Sequence, residues 1–189
     1  MSSINKSIFG YQQKLAISRL GLWLFFASDA FMFGGLLVSR FYLLGYKSFN
    51  LDQNLGLLVT SILLISSFFM NRAEVMVSQG NQKGFITSLV ITILLGISFL
   101  VGVVGLEWGS AHFGPGDGAE GAVFYMMTGM HAFHVLTGII FLSFVLRNGI
   151  NKKYTPEKHY AVEASANYWH FIDVVWIIFY PVLYLMGTV

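Results

Sequence analysis

The sequence contains no cysteine. That excludes a disulfide framework, cysteine-ligated zinc, an iron–sulfur cluster and covalently attached c-type haem. Charge is also scarce. Asp, Glu, Lys and Arg make up 11% of the 189 residues, against about 25% in an ordinary soluble domain. The formal net charge is +2, too small and too scattered for a nucleic-acid surface. Proline occurs three times, and neither an internal repeat nor a low-complexity tract is present. The glycine-rich stretch GSAHFGPGDGAEG (Gly109–Gly121) has no Gly-Lys-Ser element, so it does not read as a phosphate-binding loop.

Apolar residues fill the space left by charge. They make up 56% of the chain, with 18 Phe, 9 Tyr and 20 Gly and a mean hydropathy of +0.67. Such a chain buries apolar surface readily, which excludes disorder, and lipid is the solvent that suits it. A membrane-spanning helix needs about 20 mostly apolar residues. Five stretches qualify: Leu20–Leu44, Leu55–Val77, Phe85–Leu106, Ala122–Leu146 and Glu163–Gly187. They are too long, and too little alternating, for barrel strands. The first run also exceeds the usual apolar core of a signal peptide. The predicted fold is all-α, a bundle of five transmembrane helices forming a single membrane domain over 1–189.

Five spans put the termini on opposite sides. Lys6, Lys14, Arg19, Arg72, Lys83, Arg147, Lys152, Lys153 and Lys158 fall on one side, and only Arg40 and Lys47 on the other. The excess of positive charge on cytoplasmic loops therefore predicts a cytoplasmic N-terminus and an external C-terminus. The connection bearing Glu107, His112, Asp117 and Glu120 has no Lys or Arg and suits an external loop, with Glu107 and Trp108 at the outer interface.

Few polar groups remain inside the spans, and an intramembrane charge normally faces the bundle interior. Asp29 sits in WLFFASDAFMF (Trp23–Phe33), about 14 Å deep at 1.5 Å per residue, with no base beside it in sequence. A carboxyl there needs a partner or a proton. It is read either as a proton-linked or lipid-contacting group, or as a neutral acid in an interhelical hydrogen bond. His131 and His134 are three apart in the fourth span and so share a helix face. Glu163, Asn167, His170 and Asp173, at steps of four, three and three, form a stripe along the fifth, with Trp169 and Trp176 beside it. Counted from the cytoplasmic ends, Asp29, His134, His170 and Asp173 lie within about 8 Å of one depth, which predicts one buried polar layer. Haem ligation by two facing histidines is the alternative. His134 and His170 match best in depth but still differ by about 7–8 Å.

At these residues the chain resembles subunit III of the haem-copper oxidases, most closely that of cytochrome c oxidase. KHYAVEASANYWHFIDVVWIIFY (Lys158–Tyr180) is the most specific stretch. FYMMTGMHAFHV (Phe124–Val135), WLFFASDAFMF and LVITILLG (Leu89–Gly96) are similar to further family segments, in the same order. The resemblance implies an accessory subunit without a redox centre. Haem and copper would sit in partner subunits I and II, and structural phospholipids would be bound. The missing cysteines exclude the copper-carrying subunit II, and five histidines on five spans exclude subunit I. Members have seven helices or, in shortened bacterial forms, five. This chain resembles the shortened form, which implies a multi-pass protein of the bacterial cytoplasmic membrane that lacks the family's first two helices. Asp29 stands where many members have Glu. His131, His134, His159, Glu163, His170 and Asp173 match in type. Glu74, Val75 and Gln79 occupy places where many members carry a His pair and a later Glu. The related quinol oxidases share Ser28–Asp29, whereas Glu163–Tyr168 favours cytochrome c as donor. The implied role is to stabilise the catalytic subunit, bind lipid and support proton uptake in a complex that reduces dioxygen to water. A free-standing haem-b cytochrome or a transporter is the more remote reading.

Overall fold

The computed structural model describes residues 3–47, 49 and 51–186, and side chains from Gln12 onward. Five helices are long and apolar enough to cross a membrane. In chain order, α1 is Ser3–Leu44 and α2 is Gln53–Ser78. Then come α3 (Gln82–Ser110), α4 (Gly118–Ile150) and α5 (Tyr160–Leu185). A helix lies over each of the five predicted spans; α2, α3 and α4 run past the apolar limits at both ends, and α1 and α5 at their starts. The cause is that a helix end leaves four backbone groups unserved, so it is best placed outside the hydrocarbon. Gly187, the predicted end of the fifth span, lies outside the described residues.

Local chemistry explains the ends. Asp52 caps α2 by accepting from the backbone N–H groups of Asn54 (2.9 Å) and Leu55 (3.3 Å), the usual role of an N-cap carboxylate. The α2–α3 turn uses Gly80 at φ 74°, a conformation open to glycine, and Asn81 then caps α3 at the Gly84 N–H. Two segments widen into π-helix: Val101–Glu107 in α3 and Pro181–Leu185 in α5. In α5 the cause is visible. Proline lacks an N–H, and its ring displaces the carbonyl four residues back. The Met186 N–H then bonds to the Pro181 carbonyl, five residues back, at 3.1 Å.

The helix α5 packs against α2, α4 and α1, and α3 packs against α2 and α4. The wedge at the centre is Trp169, which is 1% exposed. A Cβ on Gly96 of α3 would lie 2.7 Å from its ring, and one on Gly138 of α4 3.0 Å from it. Glycine is required at both places because the indole fills the space. The Trp169 indole N–H donates to Ser66 Oγ of α2 at 3.0 Å, and one heptad on Trp176 donates to Thr60 Oγ1 at 3.0 Å. Interhelical hydrogen bonds of this kind contribute about 0.6–2 kcal/mol each in a membrane. The helix α1 is the most exposed of the five. It rests on α4 and α5 through aromatic contacts, including stacked Phe26–Phe171 rings 5.1 Å apart and Phe33 against Phe179 at 5.6 Å.

Gly96→Val drives methyl groups into the Trp169 ring. Overpacking of this kind costs about 1–3 kcal/mol, so the thermal unfolding midpoint of the detergent-solubilised protein is expected to fall. An unchanged midpoint would mean that Trp169 is not the wedge.

Candidate functional site

The polar groups predicted as one layer form two carboxyl–imidazole pairs on different helix interfaces. The first joins α1 to α4. His134 Nε2 lies 3.4 Å from Asp29 Oδ2, with the two side chains 8% and 14% exposed. Asp29 therefore has a base beside it, supplied from 105 positions along the chain rather than from its own helix. The ring's orientation is fixed by its other nitrogen. His134 Nδ1 is 2.7 Å from the Met130 carbonyl, which only accepts, so Nδ1 carries a proton. A neutral ring then presents Nε2 to Asp29 as an acceptor. Phe33 closes over the pair, with its ring 4.8 Å from that of His134.

The second pair lies between α5 and α2. His170 Nδ1 is 2.7 Å from Ser67 Oγ and 3.9 Å from Asp173 Oδ2. Asp173 is 3% exposed, whereas the His170 side chain is 35% exposed and lines a cavity of about 450 Å³ between α1 and α5.

The stripe on α5 divides among several neighbours. Glu163 accepts two hydrogen bonds from Arg19 Nη2, at 2.9 and 3.1 Å, at a half-exposed position within the N-terminal half of α1. Asn167 faces the α1–α5 cavity with His170. Asp173 turns inward. A straight helix drifts by about 20° per heptad, so a stripe ten residues long reaches more than one partner. His131 and His134 also part company, contrary to the shared face expected from their spacing. His131 is wholly buried against Trp176 (4.7 Å between ring centres) and Phe99 (5.5 Å). Neither of its ring nitrogens has a hydrogen-bond partner among the described residues. As for haem ligation, His134 and His170 are engaged with different partners on different interfaces. Among the described residues no group of three or more His, Asp or Glu gathers as a metal-binding set.

Three buried polar features were not legible in the sequence. Glu107, read as an interface residue, is 3% exposed and accepts a hydrogen bond from the Tyr184 hydroxyl. The helix continues for one more turn past it, and the two π segments bring the pair together. Arg40, counted as an external charge, is wholly buried. Its guanidinium donates to the carbonyls of Gly45 (2.8 Å) and Lys47 (2.5 Å) and lies over the Phe49 ring at 4.7 Å. It serves the open carbonyls at the end of α1, as basic groups do at helix C-termini. Ser66, Ser67 and Thr60 of α2 carry hydrogen bonds to α5. A serine in an apolar helix gives no sign of which neighbour it will meet.

The sequence profile of the family described as Cytochrome c oxidase subunit III matches residues 10–188. The chain belongs to the cytochrome c oxidase subunit III family. It is 34% identical over 184 residues to cytochrome c oxidase subunit 3 of Gallus gallus, an alignment covering 90% of this chain and 70% of the relative. The protein of the same description from Oryctolagus cuniculus is 35% identical over 187 residues, with the same coverage. That from Trichophyton rubrum is 37% identical over 182 residues, covering 89% of this chain and 67% of the relative. Family membership and five spans make the chain a multi-pass membrane protein and a non-catalytic subunit III of the haem-copper oxidases.

The Asp29–His134 pair gives a sharp test of its own geometry. Removing one member of a buried pair leaves the other unserved, at a cost of about 3–5 kcal/mol, whereas replacing both by apolar groups is often neutral. Asp29→Leu is expected to lower the unfolding midpoint in detergent. The double variant Asp29→Leu/His134→Phe should recover most of the loss. Glu163→Gln, at the exposed Arg19 pair, should change stability by less than about 1 kcal/mol. Equal losses for Asp29→Leu and for the double variant would show that the pair is not coupled.

Proposed function

We propose that this chain acts in a bacterial cytoplasmic membrane as the accessory subunit of a proton-pumping cytochrome c oxidase, which reduces dioxygen to water. It stabilises the haem- and copper-carrying subunit I beside subunit II, holds phospholipids, and supports proton entry from the cytoplasmic side. The membership of the chain in the cytochrome c oxidase subunit III family carries this reading. A cytoplasmic N-terminus is favoured by the excess of Lys and Arg on one side of the bundle.

The polar groups fit the role asked of them. Asp29, His134, His170 and Asp173 are ionisable groups inside membrane spans, and such groups face protein, water or a polar ligand rather than lipid tails. Asp29 and His134 meet on the face between α1 and α4, where α1 is open to lipid or to a neighbouring subunit. His131 supports α5 through the Trp176 contact. Glu163 anchors the N-terminal half of α1 at Arg19. Haem and copper, on this reading, are held by the partner subunits. This chain's contribution is shape, lipid contact and protonatable side chains. Cytochrome c rather than quinol is the donor favoured by the Glu163–Tyr168 element.

Affinity purification of the tagged chain in mild detergent tests this assignment. The expected preparation contains larger partner chains, a visible haem spectrum that follows those partners, and oxygen consumption driven by reduced cytochrome c. Purification of the chain alone, or a haem band that stays with the isolated chain, would overturn it. Oxygen consumption driven only by quinol would move it to the quinol oxidases.

A further inference from the structure

The second polar cluster, at the α2–α5 interface, has a composition that packing alone does not call for. Asp173 is 3% exposed, and neither of its carboxyl oxygens completes a hydrogen bond among the described residues. Ser67 and His170 are the polar groups beside it. An isolated buried carboxylate is costly, and the cost is relieved by a proton or by a nearby imidazolium. Both remedies place one proton somewhere between Asp173 and His170.

Connectivity distinguishes this cluster from a sealed pair. Ser67 Oγ lies 2.7 Å from His170 Nδ1, and a hydroxyl donates and accepts at once. His170 is the outward member. Its side chain is 35% exposed, and it lines the 450 Å³ cavity with Asn167, facing Trp23, Ala27 and Ala30 of α1. None of those α1 residues titrates. From α2, Glu74 lies within electrostatic reach of His170, and so close to Glu163 and His159 at the start of α5 that all four groups interact. Glu163 is held by Arg19 of α1. Titratable groups therefore run from the Tyr160 end of α5 to His170, and one hydroxyl separates His170 from a buried acid.

We propose that Ser67, His170 and Asp173 form a proton-exchange site, in which a proton held between Asp173 and His170 passes through the Ser67 hydroxyl and leaves at the cavity edge of the imidazole. In the outward step, the Asp173 carboxyl turns onto Ser67 Oγ, completing the hydrogen bond that it lacks at rest, and gives Oγ its proton while the Ser67 hydroxyl proton passes to His170 Nδ1. The products are a carboxylate and an imidazolium. His170 Nε2–H then releases a proton to water or to a carboxylate nearer the helix end, leaving a neutral ring protonated at Nδ1. The reverse sequence loads the site. It involves no group of the Asp29–His134 pair and does not rest on assembly with a partner subunit.

The test is infrared spectroscopy of the purified protein, with whatever subunits accompany it, carrying isotope-labelled aspartate. Transfer to D2O should shift the stretch of a buried protonated carboxyl, and Asp173→Asn should remove that band. Ser67→Ala, which deletes one oxygen, is expected to slow the exchange by about tenfold or more, the scale on which a positioned proton carrier acts. Ser67→Thr, which keeps a hydroxyl, should restore it. Unfolding midpoints of the Ser67 variants separate a lost relay from a lost fold. If Asp173→Asn does not fold, Asp173→Glu, whose carboxyl carries no label, assigns the band by removing its isotope shift. An exchange rate unchanged in Ser67→Ala, or no aspartic acid carboxyl band at any pH, would overturn the proposal.

Discussion

Inside a bilayer there is no water to serve a polar atom, so a side-chain N–H that its own helix cannot serve is best paired with an acceptor on a neighbouring helix. Two tryptophans on one face of α5 meet that constraint. Trp169 and Trp176 donate their indole N–H groups to Ser66 and Thr60 of α2, and the Trp169 ring occupies space that glycine leaves open on α3 and α4. This arrangement makes α5 the axis of the bundle. It also decides what α1 does. With α2, α3 and α4 gathered on the tryptophan side, α1 lies against the remaining face, held by phenylalanine contacts, by Arg19–Glu163 and by Asp29–His134.

Both carboxyl–imidazole pairs follow from that geometry. Asp29 and His134 meet where α1 crosses α4. His170 and Asp173 lie on α5 itself, toward Ser67 of α2. In each pair a third group orients the ring: the Met130 carbonyl for His134, and the Ser67 hydroxyl for His170. A non-catalytic subunit of an oxidase has no metal to position. Its chemistry is confined to such protonatable groups and to the surfaces it offers to lipid and to its partners.

Much of the bundle was legible in the sequence. The five apolar runs, the placement of Asp29 and the α5 histidine and acids inside them, and the family segments around Trp169 are all local properties of the chain. What was not legible depended on pairing between helices. Depth counting put four groups in one layer, but it carries no information about rotation, so it could not show that they divide into two pairs. Glu107 looked terminal because hydropathy falls away after Leu106. The helix nonetheless continues, and Tyr184 reaches it only because α5 widens at Pro181. Arg40 looked like a free charge because the carbonyls it serves belong to a turn that forms around it.

The central claim is that this chain stabilises an oxidase whose redox centres lie elsewhere. The most direct measurement is cytochrome c-driven oxygen consumption by membranes from a strain lacking the chain, followed through sustained turnover alongside the haem difference spectrum. The account predicts that haem centres assembled without the chain still react with oxygen, but in smaller amount or with faster loss of activity, and that the wild-type chain restores both. Oxidase amount and lifetime unchanged by the deletion would contradict it.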